Sequence, residues 1–310
     1  MKLEGVHHVT AITGDAPANV EFYVGVLGLR MVKKTVNQDD PTVYHLFYAD
    51  EKGSAGADIT FFEYPGVPEG RAGDGMVHRV AFRVGSEAAI DFWEKRLQGE
   101  TKHLERTEGS LVLSDPEGLD LELVVDTSDD EPLRAIYPGI PAEMAIRGFE
   151  GVRAYSSMPE ASRSLFEETL GFEPTADGAW NVRGRQRGGF YRFDPPPATR
   201  PLNGAGTVHH VAWASHMDEH EAWRERVEDA GAHPTPVIDR FYFRSIYFRE
   251  PSGVLFEIAT LGPGFDADED LDKLGEALSL PPNYEHLRDK LKDVLTPLPD
   301  PRKKALTGLG

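Results

Sequence analysis

The sequence predicts an α+β protein made of four βαβββ modules, arranged as two pseudo-symmetric barrel-like domains. Three observations carry this expectation. A strand-like opening recurs four times, a helix-like stretch with a glycine stop follows each opening, and the second and fourth copies end in a matched Pro/Gly turn and glutamate.

The openings are Val6-His7-His8-Val9, Val77-His78-Arg79-Val80, Gly151-Val152-Arg153-Ala154 and Val208-His209-His210-Val211. Behind them, apolar residues fall at helical spacing: Val20, Phe22, Tyr23, Val26 and Leu27; Ala89, Phe92, Trp93 and Leu97; Leu165, Phe166 and Leu170; Ala222, Trp223 and Val227. Gly28, Gly99, Gly171 and Gly231 then stand where a helix ends, since glycine accepts the left-handed backbone that closes one. Short aromatic and β-branched runs follow, such as Tyr44-His45-Leu46-Phe47-Tyr48, Ser110-Leu111-Val112-Leu113 and Ser245-Ile246-Tyr247-Phe248, and read as strands. Asp115-Pro116-Glu117-Gly118 leads to Glu122 at the same offsets by which Glu250-Pro251-Ser252-Gly253 leads to Glu257, which points to a common module ancestor.

Gly, Pro and charge concentrate at 65–75, 126–150, 194–206 and 262–272. The expected division is an N-terminal domain over 1–130 (modules one and two), a linker over 131–149, a C-terminal domain over 150–262 (modules three and four), and a tail with a helix over 263–310, packed on the outside.

Composition narrows the chemistry. With 52 acidic and 33 basic side chains the formal net charge is -19, which disfavours nucleic acid and anionic lipid as partners. Such acidity suits a high-salt source as well as an ordinary acidic cytosolic protein. There is no cysteine, so any metal must sit on His, Asp or Glu. No run approaches the ~18 apolar residues of a membrane span, and Met1-Lys2-Leu3-Glu4-Gly5 has no leader character, so a cytoplasmic location is expected.

Because side chains alternate along a strand, one histidine of each His-His doublet can face a cavity while its neighbour points elsewhere. The corresponding position in the four openings holds His8, Arg79, Ala154 and His210, so only modules one and four offer an imidazole. Glu257 sits in a last strand otherwise filled with Leu255, Phe256 and Ile258, where an unpartnered carboxylate is expensive. Glu122 has no such partners. One complete site and one dead site imply that modules one and four face each other. Two imidazoles and a carboxylate on one face form the triad expected of non-haem Fe(II), with manganese, zinc or nickel also able to occupy it.

These doublets resemble the vicinal oxygen chelate superfamily, also called the glyoxalase/bleomycin-resistance/dioxygenase fold. So do the segment Tyr44-His45-Leu46-Phe47-Tyr48-Ala49-Asp50 and the runs Asp239-Arg240, Ser245 to Pro251 and Glu257-Ile258-Ala259-Thr260. Within it the chain is most similar to ring-cleaving dioxygenases of hydroquinones, including chlorinated ones. The resemblance implies an Fe2+ cofactor held by His8, His210 and Glu257. It implies His7, His209, Arg240 and Tyr247 as groups that support the ligands or touch substrate, with Thr10 at the substrate. A small aromatic substrate and O2 are the implied partners, with a homo-oligomer left open. The rivals are a metal-dependent isomerase or thiol transferase of the same superfamily, and a drug-sequestering binder without catalytic ligands. Glu63 as a fourth ligand would favour the isomerase, but its Phe61-Phe62 context argues against that. His216 and His220, four apart, read as a solvated helix face rather than a metal clamp.

Overall fold

The structure, a computed structural model, describes residues 1–307. Module one contains β1 (Val6–Thr13), α1 (Ala16–Val20, running on into a π-helical turn, Glu21–Val26), β2 (Arg30–Val36), β3 (Tyr44–Ala49) and β4 (Asp58–Glu63). Module two contains β5 (Val77–Val84), α2 (Glu87–Leu97), β6 (Leu104–Thr107), β7 (Ser110–Ser114) and β8 (Asp120–Val125). Module three contains β9 (Phe149–Tyr155), a π-helical Leu165–Leu170, β10 (Glu173–Pro174), β11 (Ala179–Arg183) and β12 (Gly188–Asp194). Module four contains β13 (Val208–Ser215), α3 (His220–Asp229), β14 (Ile238–Asp239), β15 (Phe243–Arg249) and β16 (Leu255–Pro263).

Local chemistry sets the helix limits. Asp15 starts α1 by accepting from the Ala18 amide (3.1 Å), and Ser86 does the same for α2 through Ala89 (3.3 Å). The four stop glycines all adopt the left-handed region, with φ of 70° to 84°.

The modules assemble into two eight-stranded sheets, ordered β14-β15-β16-β13-β1-β4-β3-β2 and β10-β11-β12-β9-β5-β8-β7-β6. Each sheet therefore joins one module from either half of the chain: the first with the fourth, and the second with the third. At each seam two first strands run antiparallel, β1 against β13 and β5 against β9, and each seam carries two register shifts. In the first seam these fall between Val6 and His8 and between Thr10 and Ala11, opposite the residue His209. Bulges re-aim side chains beside functional sites, and these sit at both doublets.

Residues 131–149 carry no helix or strand before β9 and are tied down by Arg187, which donates to the Glu131 (3.0 Å) and Arg147 (2.9 Å) carbonyls; just ahead of them Asp130 accepts from the buried Arg83 (2.7 Å) and from Arg183 (2.6 Å). The tail is more than an outer cover. It buries Phe265, Leu274, Leu280, Leu291 and Leu295, and its Asp268 and Glu269 pair with the fully buried Lys33 of β2.

Candidate metal centre

His8 on β1, His210 on β13 and Glu257 on β16 reach one point. His8 Nε2 lies 3.2 Å from His210 Nε2 and 3.2 Å from Glu257 Oε2, and His210 Nε2 lies 2.9 Å from that same oxygen. All three are buried. Among the described residues the Glu257 oxygens have no polar partner besides these two imidazoles. Burial alone would push this carboxyl up, but the two imidazoles outweigh it and hold it well below its usual range. Three donors about 2.1 Å from one ion are about 3.0 Å apart when they subtend right angles and about 3.4 Å apart in a tetrahedron. The observed edges bracket the first value. A converging set with a buried carboxylate fits a divalent cation with an open face opposite.

The first histidine of each doublet explains why the doublet exists. His7 Nδ1 lies 2.9 Å from His8 Nδ1, and His209 Nδ1 lies 2.8 Å from His210 Nδ1. If Nε2 of His8 keeps its lone pair for an ion, its Nδ1–H donates to His7, which in turn donates Nε2–H to the Thr260 carbonyl (3.1 Å). Burial, and His8 beside it, lower the His7 pKa to about 3, so it remains a neutral acceptor. Simple alternation sends His7 and His209 away from the site. The bulges bring them back alongside, which the strand pattern did not reveal.

The cavity over the triad has a volume of about 40 Å³ and is walled by His45, Phe47, Phe62, Phe243, Arg240 and Tyr247 among others. Arg240 pairs with Asp39 of module one (3.1 and 3.0 Å) rather than with its neighbour Asp239, and its guanidinium lies 5.4 Å from the Tyr247 ring centre. Burial opposes the Arg240 charge, but Tyr247 and Asp39 outweigh it, and the group stays a cation. Burial, seconded by Glu257, pushes the Tyr247 phenol up, so it stays protonated. Thr10 is fully buried, with Oγ1 on Thr60 Oγ1 (2.7 Å), and is not among the cavity walls. Sequence reasoning passed over His45, Thr35 and Asp39, which also line the cavity. Alternation along β2 and β3 was the available signal, but it needed the register of the two strands to become usable.

The second seam shows what a dead centre looks like. Register equates Arg79 with His8 and Gly151, not Ala154, with His210, which corrects the sequence alignment of module three by three residues. Gly151 cannot carry a side chain, since a Cβ there would lie 2.3 Å from the Phe190 carbonyl oxygen. Arg79 instead pairs with Glu122 (3.6 Å), the counterpart of Glu257. In module one that counterpart is Thr60, not Glu63, which turns away to Thr296 of the tail (2.8 Å). His216 and His220 are not one solvated face either: His216 pairs with Glu4 (3.1 Å) and His220 is buried beside Ser215 (3.2 Å).

Comparison with known proteins agrees with this architecture. The family model described as Glyoxalase/Bleomycin resistance protein/Dioxygenase superfamily matches residues 5–123 and 149–258. MhqO of Bacillus subtilis (strain 168), which carries a provisional ring-cleaving dioxygenase name, is 40% identical over 96% of this chain and 97% of its own length. The chlorohydroquinone/hydroquinone 1,2-dioxygenase of Sphingobium indicum is 31% identical over 94% of this chain and 95% of its own. A crystal structure of a B. subtilis protein, provisionally a dioxygenase, superposes with a TM-score of 0.88 at 38% identity, covering 96% and 98% of the two chains. Glyoxalase I from Zea mays shares the fold at a TM-score of 0.55 and 14% identity, covering 83% and 92%. The chain belongs to the glyoxalase/bleomycin resistance protein/dioxygenase superfamily and, within it, to the ring-cleaving dioxygenases.

Proposed function

We propose that the protein is an Fe(II)-dependent, extradiol-type dioxygenase that opens the ring of hydroquinone or a substituted, for example chlorinated, hydroquinone. The observation that carries this reading is the convergence of His8 Nε2, His210 Nε2 and Glu257 Oε2 within 3.2 Å of one another. The similarity to a chlorohydroquinone/hydroquinone 1,2-dioxygenase supports the substrate class.

When bound, a ferrous ion supplies Lewis acidity that lowers the pKa of a phenolic hydroxyl, and open positions for substrate and O2. The protein does the rest. His7 and His209 fix the tautomer of the ligand imidazoles. Arg240 presents fixed positive charge to a substrate oxygen that has lost its proton. Tyr247, kept protonated by its burial, is a donor for the proton that ring opening requires. Phe62, Phe47 and Phe243 exclude water from the reacting ring. Thr60, standing where a second carboxylate would complete a two-glutamate site, favours this reading over the isomerase.

The test is anaerobic reconstitution with Fe(II) followed by hydroquinone and air-saturated buffer over an oxygen electrode. One O2 should be consumed per hydroquinone, with a ring-opened chromophore appearing. His8→Ala, His210→Ala and Glu257→Ala should each lose metal and activity, whereas His216→Ala should change neither. Absence of O2 uptake with the metal-loaded protein would leave the isomerase as the better reading.

A further inference from the structure

Two polar side chains of the cavity wall have no part in holding the triad. Thr35 on β2 and His45 on β3 are directly opposite each other across the strand pair, and both line the cavity. In the sheet, β16, β13 and β1 supply the triad from the middle, β3 and β2 lie to one side, and β15 lies to the other. The Thr35–His45 pair therefore stands on the module-one flank, and Tyr247 on the module-four flank.

His45 is held in place. Its ring packs between Phe47 (centroids 3.9 Å apart) and Phe62 (4.4 Å), and its Nε2 meets Thr60 Oγ1 at 2.9 Å, which in turn is held by Thr10. That leaves Nδ1, for which the described residues offer no hydrogen-bond partner. Burial, with His8, His210 and Arg240 nearby, lowers the His45 pKa and keeps the ring neutral. Thr35 Oγ1 is buried, and among the described residues the Tyr242 phenol is its polar neighbour. The Tyr242 phenol donates its proton to Asp268 (2.9 Å) and its oxygen can accept from the Thr35 hydroxyl, which leaves the lone pairs of Thr35 Oγ1 unused. A hydroxyl oxygen with unused lone pairs on a cavity wall is open to a donor from outside the protein.

We propose that Thr35 and His45 recognise the second hydroxyl of an aromatic diol, the one that is not at the metal. This rests on the dioxygenase reading above and adds the residues that discriminate a diol from a monophenol. The chemistry divides the walls. The Arg240 cation suits an oxygen that has lost its proton, whereas a neutral hydroxyl both donates and accepts. Thr35 and His45 can answer it in both senses. A phenol lacking that hydroxyl would leave both unmatched, and sites built to bond a hydroxyl reject ligands without one. Thr10 then acts at a distance, through Thr60 and His45.

The experiment measures binding rather than turnover. Hydroquinone and phenol are titrated anaerobically into the Fe(II)-loaded protein by calorimetry, for the unaltered chain, Thr35→Val and His45→Phe. The unaltered chain should bind hydroquinone at least ~10-fold more tightly than phenol, and each variant should reduce that ratio to about 3-fold or less with phenol affinity unchanged. His45→Gln, which keeps a polar donor and acceptor, should retain part of the preference and serves if the phenylalanine variant does not fold. A preference that survives in Thr35→Val and in the folded His45 variant overturns the inference, as does an unaltered chain that binds both ligands equally. If neither ligand binds the loaded, unaltered chain, the dioxygenase reading falls with it.

Discussion

At the scale of single residues, the His-His doublets turn a general ligand preference into a specific one. The second ring of each doublet can face an ion only if its far nitrogen carries the proton, and the first ring accepts that proton's hydrogen bond at 2.9 or 2.8 Å. Partners of this kind typically change metal affinity 10- to 100-fold. His7→Phe should therefore weaken Fe(II) or Mn(II) binding by about 10- to 100-fold, measured by competition with a chelator, while the protein stays folded. The doublets and the lone glutamate were legible in the sequence because they are chemically out of place in apolar strands. The support that His7 and His209 give their neighbours was implied by the family resemblance alone, because strand alternation hides it and the bulges expose it.

At the scale of elements, two loops decide access and one buried cation ties the halves together. A cavity of about 40 Å³ is far smaller than the ~150 Å³ of a cavity that admits benzene, so an aromatic ring is expected to enter only as the loop after β2 and the turn before β15 part. Gln38 donates to the Arg240 carbonyl (2.8 Å), Asp39 takes its guanidinium, and Phe241 beside it is held at φ 72°, a strained value outside glycine. Asp39 is largely exposed, so its ion pair is worth at most about 1 kcal/mol. Asp39→Ala should accordingly speed association of a phenolic ligand by no more than about 5-fold in stopped flow, with the melting temperature hardly moved. Asp130 is the opposite case. Burial raises its carboxyl pKa, but Arg183 and Arg83 overcome this and depress it below the ordinary value. Its contribution is thus complete above the unfolded pKa of ~3.9 and is lost as pH falls further. Asp130→Ala should cost about 3 kcal/mol in urea unfolding at pH 7, because it strips a partner from the buried Arg83, and the difference from the unaltered chain should shrink below pH 4.

At the scale of the whole molecule, the triad joins β1 at one end of the chain to β13 and β16 near the other, within a single sheet. Metal binding should therefore stabilise that sheet and leave the other alone. Hydrogen exchange with and without Mn(II) should show added protection in β1, β13 and β16 and none in β5 to β12. Free metal at 100 times its dissociation constant adds about 2.7 kcal/mol, enough to raise the melting temperature by several degrees. Equal protection of both sheets would contradict this placement.

The sequence by itself determined the four modules, their order of elements, the glycine helix stops and the out-of-place doublets and glutamate, because periodicity, turn chemistry and a carboxylate in an apolar strand are local signals that survive in one dimension; that the second histidine of each doublet is the one to meet Glu257 came from the family resemblance. Tertiary structure decided which modules share a sheet in hydrogen-bonded detail, that Gly151 rather than Ala154 answers His210, and that Asp39, Thr35 and His45 belong to the cavity. Those facts depend on strand register and on loops meeting across more than 200 residues, and neither leaves a trace in the spacing of neighbours along the chain.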